Sequence, residues 1–327
     1  MVRALITGAC GFIGSHFLRY FVDQHPDWEF VLIDRLSYAA SLNRISDITA
    51  DQIEFVLHDI RAFPSDYVRG CIGQVDYVFH LAAETHVDRS AVEPEVFVQS
   101  NIVGTFNLLE YCRRYQESLK MFFLVSTDEV YGAAPAGVDH GEDFPHRPSN
   151  VYSATKAAAE DLAYAYDHSM GVPVIVTNTM NNVGRTQDKE KFVPKILRSI
   201  MRGELIDVHG SPNNIGSRKY LDARDHAAAL NFLVSFGQRG ERYNVVGIEE
   251  IDNFSMIKRV ADKLPPGVGH GAAWRFVDFH AARKGHDLRY SLNGMKLAAM
   301  GWAPQITIDQ ALREIVVWTI EHPQWLD

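Results

Sequence analysis

Short runs of apolar, β-branched residues alternate with segments of helical period through the first half of the chain. Residues 2–7, 29–33, 53–57, 77–81, 121–126 and 172–178 read as strands. None alternates strictly between apolar and polar, which predicts a parallel sheet covered on both faces. Between them, residues 16–24, 94–114 and 151–168 repeat apolar positions at helical spacing. This βαβ rhythm predicts a doubly wound α/β sheet with right-handed crossovers. Beyond about Asn178 the rhythm weakens. Turn residues multiply (Asn181, Asn182 and Gly184, then 210–214), and the helical segment 193–202 is shorter. The pattern predicts a first domain over 1–178, to which part of 211–245 returns, and a smaller interleaved α/β domain over 179–327.

Composition narrows the class. With 46% hydrophobic and 22% charged residues the chain has enough apolar material for a full core. A net charge of −9 argues against nucleic acid or an anionic membrane as a partner. An anionic ligand would need local basic residues, for which Lys191, Arg218 and Arg283 are candidates. No apolar run reaches the roughly 18–20 residues of a membrane helix. The opening MVRALIT already reads as strand and leaves no room for a secretion leader. The three cysteines, Cys10, Cys71 and Cys112, lack disulfide-framework or metal spacing and fit a reducing cytoplasm. The fourteen histidines include no His-Glu-x-x-His, and no metal is expected; His80 and His86 read as packing or loop residues.

The chemistry begins at Gly8-Ala-Cys-Gly11-Phe-Ile-Gly14, between the first strand and a helix starting near Phe12. One glycine permits the tight turn, one lets backbone approach a pyrophosphate, and one allows helix and strand to pack closely. The helix N-terminus then offers unpaired N–H groups to the phosphates. This is the dinucleotide turn of a Rossmann domain. Asp34 ends the second strand, where a carboxylate bonds the adenosine ribose and repels a 2′-phosphate, favouring NAD over NADP. Arg35 beside it can instead accept that phosphate. Asp59, ending the third strand, can bond the adenine amine or remain a surface carboxylate.

Tyr152-Ser-Ala-Thr-Lys156 places a phenol and an ammonium on one helix face. A free tyrosine, with a pKa near 10, is only about one part in a thousand ionised at pH 7. A fixed cation lowers that pKa and lets the phenol take a hydroxyl proton while NAD takes hydride. At the carboxyl end of the fifth strand comes Ser126-Thr127-Asp128-Glu129-Val130-Tyr131-Gly132. Thr127 can share a substrate hydroxyl with Tyr152. Asp128 and Glu129 can divide into acid and base if their surroundings separate their pKa values. The competing reading is a capping box between Ser126 and Glu129. Both carboxylates can serve one substrate only if the strand has ended before them.

The Gly-x-x-Gly-x-x-Gly spacing and Tyr-x-x-x-Lys resemble the extended short-chain dehydrogenase/reductase family. The Ser126–Gly132 run resembles, within it, the nucleotide-sugar 4,6-dehydratases, most of all those acting on dTDP-glucose. His80-Leu-Ala-Ala-Glu84-Thr85-His86-Val-Asp88-Arg89-Ser90, Asn101-Ile-Val-Gly104-Thr105, Asn181-Asn182-Val-Gly184, Glu190-Lys191 and Gly285-His286-Asp287 are similar to the same enzymes. The resemblance implies NAD as a cofactor regenerated in each turnover and a nucleotide-diphosphate sugar as substrate. It implies that Tyr152 deprotonates the sugar 4-hydroxyl, Glu129 removes the C5 hydrogen and Asp128 protonates the departing 6-hydroxyl, with Thr127 and Lys156 assisting. It places NAD against Gly8, Gly11, Phe12, Ile13, Gly14, Asp34, Arg35, Asp59, Ile60, Leu81, Ala82, Ala83, Thr85, Asn101, Tyr152, Lys156 and Asn182. The substrate would meet Thr85, Thr127, Asn181, Glu190, Lys191, Arg218, Asn253, Arg283 and His286.

The chain departs from that pattern on the nucleotide and sugar side, at Arg218-Lys-Tyr-Leu-Asp222-Ala, Ala282-Arg283-Lys284-Gly285-His286 and Asn181-Asn-Val183-Gly-Arg185. UDP-glucose, CDP-glucose and N-acetylated sugar nucleotides stay open beside dTDP-glucose. A 4-epimerase or a UDP-glucuronate decarboxylase would share Tyr152 and Lys156, but an epimerase has no need of the Asp128–Glu129 pair. An inactive NAD-binding regulatory protein is disfavoured by the complete set Thr127, Asp128, Glu129, Tyr152 and Lys156. A cytoplasmic homodimer is expected, formed by helices over 101–114 and 151–168 with Phe106, Leu109 and Leu162 at its face.

Overall fold

The computed structural model describes residues 1–48, 51–277 and 287–327. In chain order its strands are β1 Arg3–Thr7, β2 Glu29–Asp34, β3 Ile53–Leu57, β4 Tyr77–His80, β5 Met121–Thr127, β6 Val174–Thr179 and β7 Asn181–Val183. Then come β8 Ile206–Ser211, β9 Asn214–Ile215, β10 Ser217–Asp222, β11 Arg242–Val245, β12 Glu250–Asp252 and β13 Trp274–Val277. The main sheet has seven strands in the order β3-β2-β1-β4-β5-β6-β11. Every neighbouring pair in it is parallel. Strand order reverses beside β1, the place where open α/β sheets bind ligands.

Burial explains why these strands are apolar throughout. β1, β2 and β5 are buried except at the first residue, and β6 is buried throughout. The edge strand β3 departs from the two-faced burial expected of it, leaving Phe55 and Leu57 in solvent. Helices Phe12–Gln24 and Ala223–Phe236 cover one face, where Phe17 packs on Phe21 and Phe79 on Phe123 at centroid distances of 4.0 and 4.8 Å. Helices Gly104–Tyr115 and Val151–Met170 cover the other. Burying each such ring contributes roughly 1.5–3 kcal/mol.

Most boundaries differ from the sequence pattern by a residue or two, and two differences have a physical cause. Strand β6 begins at Val174 rather than 172, because Pro173 has no N–H for the ladder. The helix expected over 94–114 is a helix Pro94–Phe97, a π-helical stretch Val98–Val103 and a helix Gly104–Tyr115. Gly104 sits where a Cβ would meet Ile60 at 2.7 Å, and the Asn101 side chain is drawn out of the helix to bond Glu84 and Thr155.

After β6 the chain leaves the main sheet through β7 and the helix Phe192–Arg202. It returns along Ala223–Phe236 to place β11, then departs again. The excursions build two small sheets, β12-β10-β7 and β13-β8-β9, over a separate apolar cluster that includes Ile196, Leu197, Val208, Met256 and Leu312. Among the described residues no helix is long and apolar enough to cross a membrane, and no cluster of three His, Cys, Asp or Glu could hold a metal ion.

Candidate active site

The site forms where the strands end. Gly8 turns the chain after β1 with φ +75°, its N–H donating to the Ile33 carbonyl at 2.8 Å. A Cβ on Gly8 would lie 2.7 Å from the Ala82 backbone, and one on Gly14 only 2.0 Å from the Gly8 carbonyl oxygen. No larger residue fits either position without moving backbone. The helix Phe12–Gln24 starts with no side-chain cap, so its first N–H groups stay available. Asp34 ends β2 and accepts from the Cys10 and Leu36 N–H groups at 3.0 and 2.8 Å.

A cavity of about 310 Å³ runs from this turn to the end of β5. Gly8, Gly11, Phe12, Ile13, Gly14, Asp34, Arg35, Ile60, Leu81, Ala82, Ala83, Thr85 and Asn182 line it. So do Thr127, Asp128, Glu129, Tyr152 and Lys156, together with Asn181, Glu190 and Lys191. Ser100 Oγ, Ser126 Oγ, Asp128 Oδ2 and Gln187 Oε1 also belong to this lining, buried and without a hydrogen-bond partner. Such atoms are costly to leave unpaired. The free helix N-terminus, the glycine cradle, the Asp34 carboxylate and these four atoms together suit a long, polar, phosphate-bearing ligand such as a dinucleotide.

At the far end β5 stops at Thr127, and Asp128–Tyr131 form a single 3-10 turn. The competing reading, a capping box between Ser126 and Glu129, does not form. Thr127 caps instead, its hydroxyl accepting from the Glu129 N–H at 3.3 Å and donating to Asp128 Oδ1 at 3.0 Å. Because the strand has ended, the two carboxylates do not diverge to opposite faces. Their environments differ sharply. Burial, and then the charge of Glu129, raise the Asp128 pKa to about 7 against the opposing pull of Arg218 and Thr127. Glu129 is only half-buried and accepts from Asn150 Nδ2 at 3.1 Å.

The helix Val151–Met170 opens with a capping box between Asn150 and Ser153, which sets Tyr152 and Lys156 one turn apart on the cavity side. Lys156 Nζ donates to the Val125 carbonyl at 2.7 Å, and burial lowers its pKa to about 8 although Glu160 works against this. The expected lowering of the Tyr152 pKa is not what the structure shows. Burial, then the charge of Glu129, push the phenol above its ordinary value, and a hydrogen bond with Thr127 opposes them. Beneath these groups lies a buried polar support. Glu160 accepts from Asn178 Nδ2 at 2.7 Å, pairs with Arg242 at 3.1 Å and meets His146 at 3.2 Å. The same Asn178 amide donates to the Thr127 carbonyl at 3.0 Å.

Other candidates fall outside this lining. Asp59 lines an adjoining cavity with Arg35 and Arg61. Asn101 sits behind the wall, where it accepts from the Glu84 N–H and donates to the Glu84 carbonyl. The Arg218 guanidinium donates to the Ser217, Leu288 and Asp287 carbonyls and stacks on Tyr290, so backbone already engages the fork expected to grip a diphosphate. Asn253 begins a helix and donates its N–H to the Gly216 carbonyl. Arg283 and His286 lie outside the described residues. The sequence pattern missed the lining residues Tyr38, Ala39, Ala40, His58, Asp188 and Tyr220. For the first four the signal was available: they follow the carboxyl ends of β2 and β3, the edge that faces the ligand.

Residues 5–315 match the family described as GDP-mannose 4,6 dehydratase. The chain belongs to this family of nucleotide-sugar 4,6-dehydratases. The dTDP-glucose 4,6-dehydratase 1 of Escherichia coli (strain K12) is 35% identical, the alignment covering 100% of this chain and 95% of that one. A probable dTDP-glucose 4,6-dehydratase of Sinorhizobium fredii is 37% identical over 99% of this chain and 94% of its own length. Among solved structures, the dTDP-glucose 4,6-dehydratase DesIV of Streptomyces venezuelae, with NAD and TYD bound, superposes with a TM-score of 0.89 at 33% identity, covering 100% of this chain and 99% of that one. Membership makes the doubly wound α/β sheet and the dehydratase signature parts of one inherited whole.

Proposed function

We propose that the protein is an NAD-dependent lyase that converts a nucleotide-diphosphate hexose, dTDP-glucose or a close UDP or CDP analogue, to its 4-keto-6-deoxy product. One observation carries the reading. Asp128 and Glu129 leave the strand together into one cavity with Tyr152, one carboxyl buried with its pKa near neutrality and the other half-exposed. That is the pairing an elimination needs: a buried acid whose pKa is raised to about 7 beside a second carboxyl in a different environment.

The glycine turn, the helix start at Phe12 and Asp34 hold the dinucleotide, and bound NAD supplies a hydride acceptor for C4 that later becomes the donor to C6. The chain does the proton chemistry. Tyr152, hydrogen-bonded to Thr127, accepts the proton of the sugar 4-hydroxyl. Lys156, cationic below about pH 8, supplies the positive charge that favours the phenolate against its burial. The 4-ketone acidifies the C5 hydrogen, which Glu129 removes. Asp128 gives its proton to the C6 hydroxyl, which leaves as water. Glu129 then returns a proton to C5.

Cytoplasmic residence is supported by three cysteines that form no disulfide. A homodimer is supported by Phe106 and Tyr164, 42% and 60% exposed on the paired helices Gly104–Tyr115 and Val151–Met170. The deciding experiment incubates the purified protein with dTDP-, UDP-, CDP- and GDP-hexoses and weighs the products. The expected product is lighter by one water with no net consumption of NAD. A product of unchanged mass would mean epimerisation and would sink the proposal.

A further inference from the structure

Arg35 follows Asp34 directly and shares its cavity, and an arginine there is the usual receptor for the 2′-phosphate of NADP. Here the side chain is already occupied. Its Nη2 donates to Glu84 Oε1 at 2.6 Å, and its Nη1 stands 3.6 Å from Asp59 Oδ2. The strand order explains the geometry. Arg35 follows β2, Asp59 follows the neighbouring β3, and Glu84 follows β4 on the far side of β1. The guanidinium is therefore held from both sides across the carboxyl edge of the sheet.

The two partners are not equal. Asp59 is engaged elsewhere, its Oδ2 lying 2.5 Å from Arg61 Nη2. Glu84 is the stronger anchor. It is only 6% exposed, and Asn101 grips its backbone at both the N–H and the carbonyl, at 2.9 and 3.0 Å. With its backbone fixed and its side chain buried, Glu84 anchors the arginine at this place. Charge-assisted pairs of this kind are short and directional, and a 2′-phosphate that draws Arg35 towards the ribose competes with this one.

We propose that Glu84 is a cofactor-specificity residue: it holds Arg35 captive, so that a side chain positioned to welcome NADP contributes nothing to its binding. Asn101 is the positioning residue for Glu84. This rests on the reading that the cavity binds a dinucleotide. It adds that the preference for NAD is enforced by immobilising a cation as well as by the negative charge of Asp34.

The test is competition at equilibrium. NADP is titrated against NAD bound to the full-length protein, and displaced NAD is quantified, giving the ratio of the two dissociation constants without turnover. In Glu84→Gln the ratio of NADP to NAD dissociation constants is expected to fall about tenfold, the worth of one freed charge-assisted contact. Glu84→Asp, which keeps the charge, should restore most of the discrimination. The double variant Glu84→Gln, Arg35→Ala should lose the gain, because the gain acts through Arg35. Arg35→Ala alone should leave the ratio unaltered, which keeps the idea testable even if Glu84 variants fold poorly. An unchanged ratio in Glu84→Gln, or a weakened NADP site in Arg35→Ala, overturns the proposal. Failure of the wild-type protein to bind NAD would instead remove the functional reading on which it rests.

Discussion

At the scale of single residues, the site depends on two adjacent carboxyls kept chemically distinct. Burial separates them, since Asp128 is enclosed while Glu129 reaches the half-open side and leans on Asn150. Glu129→Gln should therefore still oxidise C4 but stop before elimination. Rapid-mixing absorbance at the reduced-nicotinamide band should show it accumulating, with no water lost by mass spectrometry. Normal turnover of that variant would remove Glu129 from its role as C5 base. Asp128 carries a pH signature of its own. Its folded pKa of about 7 lies above the ordinary 3.8, so the folded state holds an extra proton in the interval between them. That contribution to stability is full below about 4 and is lost as pH rises towards 7. The acid needed for elimination disappears in the same direction, above about pH 7. Asp128→Asn should flatten the stability profile over this interval in urea titrations, and it should abolish the alkaline fall in kcat by abolishing the acid step itself.

At the scale of elements, what the chemistry needs is a strand that ends on time. The carbonyl of Thr127 is tied to Asn178 on the adjacent β6, and Asn178 is tied to Glu160 on the helix that carries Tyr152 and Lys156. Asn178→Ala breaks both bonds at once, leaving a buried carboxylate one donor short. A loss of about 1–3 kcal/mol is expected, with a lower Tm in calorimetry and a larger fall in kcat than in affinity for the substrate. The local parts of this arrangement were legible beforehand. The glycine spacing and the Tyr152–Lys156 spacing declare themselves because turns and helix faces are set by neighbours a few residues apart. The failures share a physical cause. The Tyr152 pKa went up because burial, which depends on the whole fold, and then the charge of Glu129 outweigh the hydrogen bond with Thr127. The Arg218 fork found carbonyls at 287 and 288, some seventy residues on, and no local spacing reports that.

At the scale of the molecule, the helices that flank the sheet have a second task. Leu109, expected at a subunit face, is fully buried in the core, and Leu162 packs against that core. Phe106 and Tyr164 stay in solvent on the same two helices. A dimer through this face would bury them. Phe106→Glu should convert it to monomer in sedimentation velocity while leaving the thermal transition of the fold nearly unmoved at matched protein concentration. An unchanged sedimentation coefficient would place the interface elsewhere or nowhere.

The parallel arrangement of the main sheet has a consequence for how freely this molecule can be altered. With every strand running the same way, the glycine turn, the carboxyl pair and the captive arginine all lie along one rim. On the opposite rim the connection before β5 is exposed at Glu117 and Ser118. A strand of this length separates the two rims by roughly 20 Å. The exposed connection at Glu117 and Ser118 is thus a place where sequence can lengthen or be grafted at a distance from the chemistry, while the working rim is answerable to it at nearly every position.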